Sequence, residues 1–159
     1  MKTLNIALLI FTVASFASFC LFVVLKYGIQ SSISASIKVL TGPFEKSLYS
    51  WFMLAVAIPM MLISDTTLGW WAGGLLAIDF AAVSGGDKLQ NFLHCFGAEA
   101  GMLLGMLMLW VDFHLWYIVV PAGLIVLYMQ WQKVKNRTWW TECVVFAAAV
   151  IGLLIAKVL

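Results

Sequence analysis

The sequence predicts an all-α, polytopic transmembrane bundle of six spans, with five as the alternative count, and three observations point there. First, 64% of the 159 residues are apolar and the mean hydropathy is +1.05, whereas a soluble domain is about half apolar. Second, nine basic and seven acidic side chains make up only 10% of the chain. A soluble fold or a disordered tail needs roughly a quarter or more, and a net charge of +2 is too even for a polybasic nucleic-acid binder. Third, apolar stretches of about 20 residues recur along the chain, the length a helix needs to cross the ~30 Å hydrocarbon layer. The ~10-residue in-and-out alternation of barrel strands is not seen, and backbone groups in lipid must then be satisfied within helices.

The first span runs from Leu4 to Leu25 without a charge. Lys2 and the small residues Ala14, Ser15, Ala17 and Ser18 resemble a signal peptide, but the apolar run outlasts the ~7–15-residue core of one, so a retained helix is expected. The second and third spans, Leu48–Ile63 and Leu68–Val83, are short and separated by Asp65-Thr66-Thr67, which predicts a tight hairpin, or a re-entrant pair if five is the count. Leu89–Val111, Leu115–Trp131 and Trp139–Ala156 complete the set. Tyr27 to Ser47 is the one long connection and the only candidate for a structured loop; its stretch Gln30-Ser31-Ser32-Ile33-Ser34-Ala35-Ser36 reads either as a serine-rich linker or as hydroxyl donors for a head group or phosphate. With no repeat or composition shift, residues 1–159 read as a single integral membrane domain.

With six spans, the 1–2, 3–4 and 5–6 connections share one face and carry Lys26, Lys38, Lys46, Lys88, Lys133, Lys135 and Arg137, against Lys2 and Lys157 on the other. Positively charged loops stay inside, so both termini are expected outside a bacterial inner membrane. The tryptophans agree: Trp51, Trp70, Trp71, Trp110, Trp116, Trp131, Trp139 and Trp140 fall near span ends, where amphipathic rings settle. Cys20, Cys95 and Cys143 lie within spans with no CxxC spacing, so they read as small apolar fillers and not as a redox pair.

An ionisable group within the bilayer costs several kcal/mol unless paired, hydrated or neutralised, which makes each one a candidate site. Four qualify: Asp79 in the third span, His94 and Glu99 in the fourth, and Glu142 early in the sixth. All four can border one cytoplasm-facing cavity if spans three, four and six are neighbours. Each also has a plainer reading: Glu142 as a favourable charge at a helix start near Arg137, His94 as a donor to a backbone carbonyl. Asp79 and Glu99 have no basic residue within a turn of their own helices and must be protonated, hydrated or paired across helices. Gly97, Gly101 and Gly105 recur every four residues as a smooth stripe for close helix packing; Glu99 points about 200° away from Gly97. Pro59 and Pro121 interrupt backbone hydrogen bonding in the second and fifth spans. Asp112 and His114 flank a short outer loop.

Ser32-Ile33-Ser34-x-Ser36 before the second span, with His94 followed by Gly97 and Ala98, resembles small bacterial polytopic membrane proteins of uncharacterised activity. More remotely, a Ser, an Asp in a mid-chain helix and a His are similar to the ceramidase-like superfamily of membrane hydrolases, which hold zinc with three histidines. That resemblance implies a metal role for Asp79 and His94. The chain departs from it with two histidines in all, predicted on opposite faces, and no HxxxH pair.

Three functions follow. A small transporter or channel-like protein would bind a proton, cation or small polar substrate at Asp79, Glu99 and Glu142, with His94 tuning the charge. A metal-dependent lipid hydrolase would use Asp79 and His94. A structural or regulatory subunit would dock a second copy or another membrane protein on the glycine stripe. The first is preferred, with no cofactor, membrane lipids as surroundings and no nucleic acid as partner; the sequence shows no P-loop, HExxH or CxxCH.

Overall fold

The computed structural model describes residues 2–82 and 88–159, and their side chains other than those of 79–82, 90 and 91. Six α-helices make up this part of the chain: α1 Lys2–Tyr27, α2 Pro43–Ser64, α3 Thr67–Ala82, α4 Lys88–Val111, α5 Trp116–Trp131 and α6 Arg137–Lys157. The chain is therefore all-α, as the apolar runs require. Four helices, α1, α2, α4 and α6, are long and apolar enough to cross a membrane; α3 and α5 are apolar but shorter. At about 1.5 Å per residue the 16 residues of α5 reach about 24 Å, less than the ~30 Å hydrocarbon layer.

Helix α2 begins five residues earlier than its apolar run, because Pro43 supplies a preset first-turn φ and Glu45 reaches back to the Gly42 N–H (3.4 Å) and the Thr41 N–H (3.0 Å). It ends on Asp65, held left-handed at φ 51° with its N–H on the Met61 carbonyl, a conformation that short polar side chains tolerate. Thr66 Oγ1 then accepts the Gly69 N–H at 3.1 Å. The Asp65-Thr66 break is thus the tight hairpin its composition predicts. Helices α2 and α5 run unbroken through Pro59 and Pro121.

Helix α3 packs most closely on α4 and then on α2; α1 lies against α2 and α6, and α5 lies at the edge on α6 and α4. Close approach comes from missing side chains, as expected where apolar lipid tails remove the hydrophobic drive between helices. A Cβ on Gly101 would stand 2.9 Å from Leu76 Cγ and 3.1 Å from the Ala72 carbonyl oxygen; one on Gly69 would stand 2.9 Å from Met108 Sδ; one on Gly152 would stand 2.9 Å from Leu109 Cδ1. Two apolar clusters fill the bundle. One gathers Phe19, Val23, Ile33, Leu40, Tyr49, Phe52, Val56 and Trp139, the other Leu9, Ile63, Met108, Leu109, Leu115 and Leu153.

The connection between α1 and α2 is not a solvated linker. It contains a 3-10 turn at Ser34–Lys38, and Ile33, Ser36 and Leu40 are buried at 5%, 0% and 2% exposure. Their side chains belong to the first cluster or sit beneath it, so the segment folds in over the ends of the helices.

Candidate functional site

Between α2, α3, α4 and α6 lies a cavity of about 110 Å³. Helix α2 lines it with Tyr49, Phe52, Met53, Val56 and Met60, and α4 with Ala98, Gly101, Met102, Gly105 and Met108. Helix α3 contributes Gly69, Ala72, Gly73 and Leu76; α6 contributes Glu142, Val145, Phe146 and Ala149. Phe16 of α1 closes one wall, its ring stacked on Phe146 at 3.8 Å between centroids. Ile33 and Ser34 of the 3-10 segment close one end.

From Tyr49 to Met60 the wall rises about 16 Å, and from Ala98 to Met108 about 15 Å. With about 110 Å³ of space, less than the about 150 Å³ of a cavity that admits one benzene ring, this slot is small. Its chemistry is polarised. Ser34, Tyr49 and Glu142 sit at the end covered by the 3-10 segment; beyond them the described lining is carbon and methionine sulfur. Four methionines, Met53, Met60, Met102 and Met108, give it unbranched, adaptable walls.

Among the described residues, Glu142 is the carboxylate that the bundle places on this slot. Helix α6 starts at Arg137, so Glu142 falls in its second turn, and the first turn holds no acid. The helix-start reading therefore gives way to a different contact: the Glu142 carboxylate accepts the Ile33 N–H. Nearby, the Trp139 N–H donates to the Ser31 carbonyl at 3.2 Å and Asn136 Nδ2 to the Ile29 carbonyl at 2.9 Å. Three positions at the start of α6 thus fasten the segment that closes the slot. At the same end of α1 and α2, the Glu45 carboxylate accepts from Lys26 Nζ and, at 2.8 Å, from Tyr27 Oη.

Of the other candidates, Glu99 is exposed on α4 and does not line the slot. His94 is half-buried a turn before Ala98, the first α4 residue of the lining. Asp79 lies on α3, but its side chain is outside the described residues. Among the described residues, no three His, Cys, Asp or Glu side chains gather in a way that could hold a metal ion. The metal assignment for Asp79 and His94 turns on the side chain of Asp79, which is not described.

The glycine stripe divides. Gly97 is buried and Gly101 meets α3, whereas a Cβ on Gly105 would find open space within 4 Å. The remaining lining residues, above all Gly69 and Gly73, went unread in the sequence; their spacing of four carries the same small-xxx-small signal as the stripe on α4. Comparison with family models, with curated proteins and with solved structures finds no match.

Proposed function

We propose that this chain is a small membrane-embedded carrier of the transporter class. It takes an amphipathic molecule into the slot between α2, α3, α4 and α6, with Glu142 as the group that anchors its polar end. One observation carries this reading: an ionisable side chain is set at the end of an otherwise apolar slot. Intramembrane carboxylates are costly and so mark substrate or ion pathways, and concave apolar sites with a few convergent polar groups are where small molecules bind. The loops bearing Lys26, Lys38, Lys46, Lys88, Lys133, Lys135 and Arg137 support, under the positive-inside rule, a cytoplasmic orientation of the Glu142 end in a bacterial inner membrane. Loading then begins beneath the 3-10 segment, from the cytoplasm or the inner leaflet.

The test uses Glu142→Gln, whose side-chain oxygen still accepts the Ile33 N–H. Membrane vesicles carrying the wild-type chain should accumulate small amphiphiles from a labelled pool, and vesicles carrying Glu142→Gln should not exceed empty vesicles. Equal accumulation by variant and wild type overturns the carrier reading.

A further inference from the structure

We infer that an exposed seam along α4 docks a transmembrane helix of another protein, one that carries a lysine or arginine near mid-membrane to pair with Glu99. The inference does not depend on what the slot binds; it concerns a surface that the slot leaves unused. Periodicity, depth and charge carry it.

Periodicity defines the seam. Leu89, Phe92, Phe96, Glu99, Leu103 and Trp110 follow one another at steps of three, four, three, four and seven, the a and d positions of a heptad. All six are exposed. None of them lines the slot or belongs to either apolar cluster. Helices α3, α5 and α6 all pack on α4 and still leave this seam uncovered. Lipid tails ask only that a helix surface be apolar, whereas a 3.5-residue repeat is what a left-handed helix pair requires, and transmembrane helices mostly cross in that sense. The rings of Phe92 and Phe96 stack at 5.9 Å between centroids, so two knobs of the seam are ordered before a partner arrives.

Depth singles out Glu99. It is the twelfth of the 24 residues of α4, so about 17 Å of helix separates it from either end, far beyond the reach of its own side chain. Among the described residues it has no hydrogen bond or ion pair. Charged groups within spans almost always face the bundle interior or are paired. Glu99 faces outward instead, and a single polar side chain in a heptad seam is the device that fixes register and partner.

Charge then selects the occupant. All nine lysines and arginines lie in connections or within four residues of a helix end, and His94 is half-buried and not part of the seam. A second copy therefore brings no cation to the depth of Glu99. A two-fold pairing of two α4 seams would set Glu99 against Glu99 whichever way the helices run, because the residue is central, and like charges repel strongly where the dielectric is low. The complementary charge has to come from a different chain, near the middle of its own span.

The experiment uses a synthetic transmembrane helix of about 22 leucines and alanines, anchored by tryptophan at both ends, in three forms with Lys, Leu or Glu at its centre. Association of each form with the full chain in liposomes is read by energy transfer as the peptide-to-lipid ratio rises. The Lys form should bind the wild type at least about tenfold tighter than the Leu or Glu form, and the gap should shrink to about threefold or less in Glu99→Gln. Leu103→Ala, on the seam, should weaken the Lys form about threefold or more, and Leu127→Ala, exposed on α5, should leave it unchanged. Lys and Leu forms binding the wild type within about threefold of one another, or no association of any form, would overturn the inference. A preference for Lys that survives Glu99→Gln would overturn the pairing with Glu99. Equal binding by Leu103→Ala and Leu127→Ala would overturn the seam. A dimer of the chain alone that Glu99→Gln dissociates would overturn the foreign helix in favour of a second copy.

Discussion

The two glycines Gly101 and Gly105 are one turn apart on α4 and do opposite work. Gly101 lets α3 come close enough that an added Cβ would press on Leu76 and on the Ala72 backbone carbonyl at 3.1 Å. The backbone of α3 cannot yield as a side-chain tip can, so Gly101→Ala should separate the two helices at a cost of about 1–3 kcal/mol, the usual penalty of overpacking. Gly105→Ala meets nothing and gains up to about 1 kcal/mol of helix propensity. Thermal unfolding in one detergent should place Gly101→Ala below the wild type and Gly105→Ala level with it or above. A lower midpoint for Gly105→Ala would mean that the slot is closed in solution. In the sequence these glycines form one stripe, because a period of four gives the face of the helix and not what stands opposite it. The same limit applies to Glu142. Its position marked it as a candidate, but its tie to Ile33, over a hundred residues earlier, has no local signal.

At the scale of elements, all six helices were legible. Their apolar runs exceed any plausible soluble core, and the Asp65-Thr66 turn, the Tyr27-to-Ser47 connection and the α6 start each carry polar residues that stop a span. Lengths were less so: Pro43 and Glu45 extend α2 past its apolar run by capping, which hydropathy does not register. The serine-rich segment was the least legible element, since its hydroxyls suggest solvent while Ile33 and Leu40 are what fold it inward. Its attachment to α6 is open to a direct test. The Ile33 amide donates to a carboxylate, and hydrogen bonds to charged groups contribute about 1.5–3 kcal/mol against 0.5–1.5 for neutral ones. Hydrogen exchange at Ile33 should therefore be slowest in the wild type, about tenfold faster in Glu142→Gln and faster again in Glu142→Ala, which has no acceptor. Uniform exchange across the three would show that packing alone holds the segment.

Over the whole molecule the outward surface is that of a membrane protein: Leu103 and Leu127 are exposed at 62% and 65%, and Trp116 and Trp131 at 59% and 80%. Glu99 stands out against it, exposed midway along α4. A carboxylate facing lipid near the centre of a span costs of the order of 3 kcal/mol on insertion-based scales, and less if it is neutralised or reaches toward an interface. Glu99 does not line the slot, into which Gly101 and Gly105 face, so the two sites should be separable. Glu99→Leu should raise the thermal midpoint of the monomer in nanodiscs and leave vesicle uptake within about twofold of the wild type, since substitutions without shared partners act independently. Glu142→Gln should abolish uptake and, because a neutral amide holds the Ile33 N–H less tightly than the carboxylate does, leave the midpoint level with the wild type or below it. A lower midpoint for Glu99→Leu, together with a smaller assembled mass, would instead identify the exposed face of α4 as an interface between copies of this chain. The same pair of variants therefore separates a cost carried on the lipid face from the chemistry held inside the bundle.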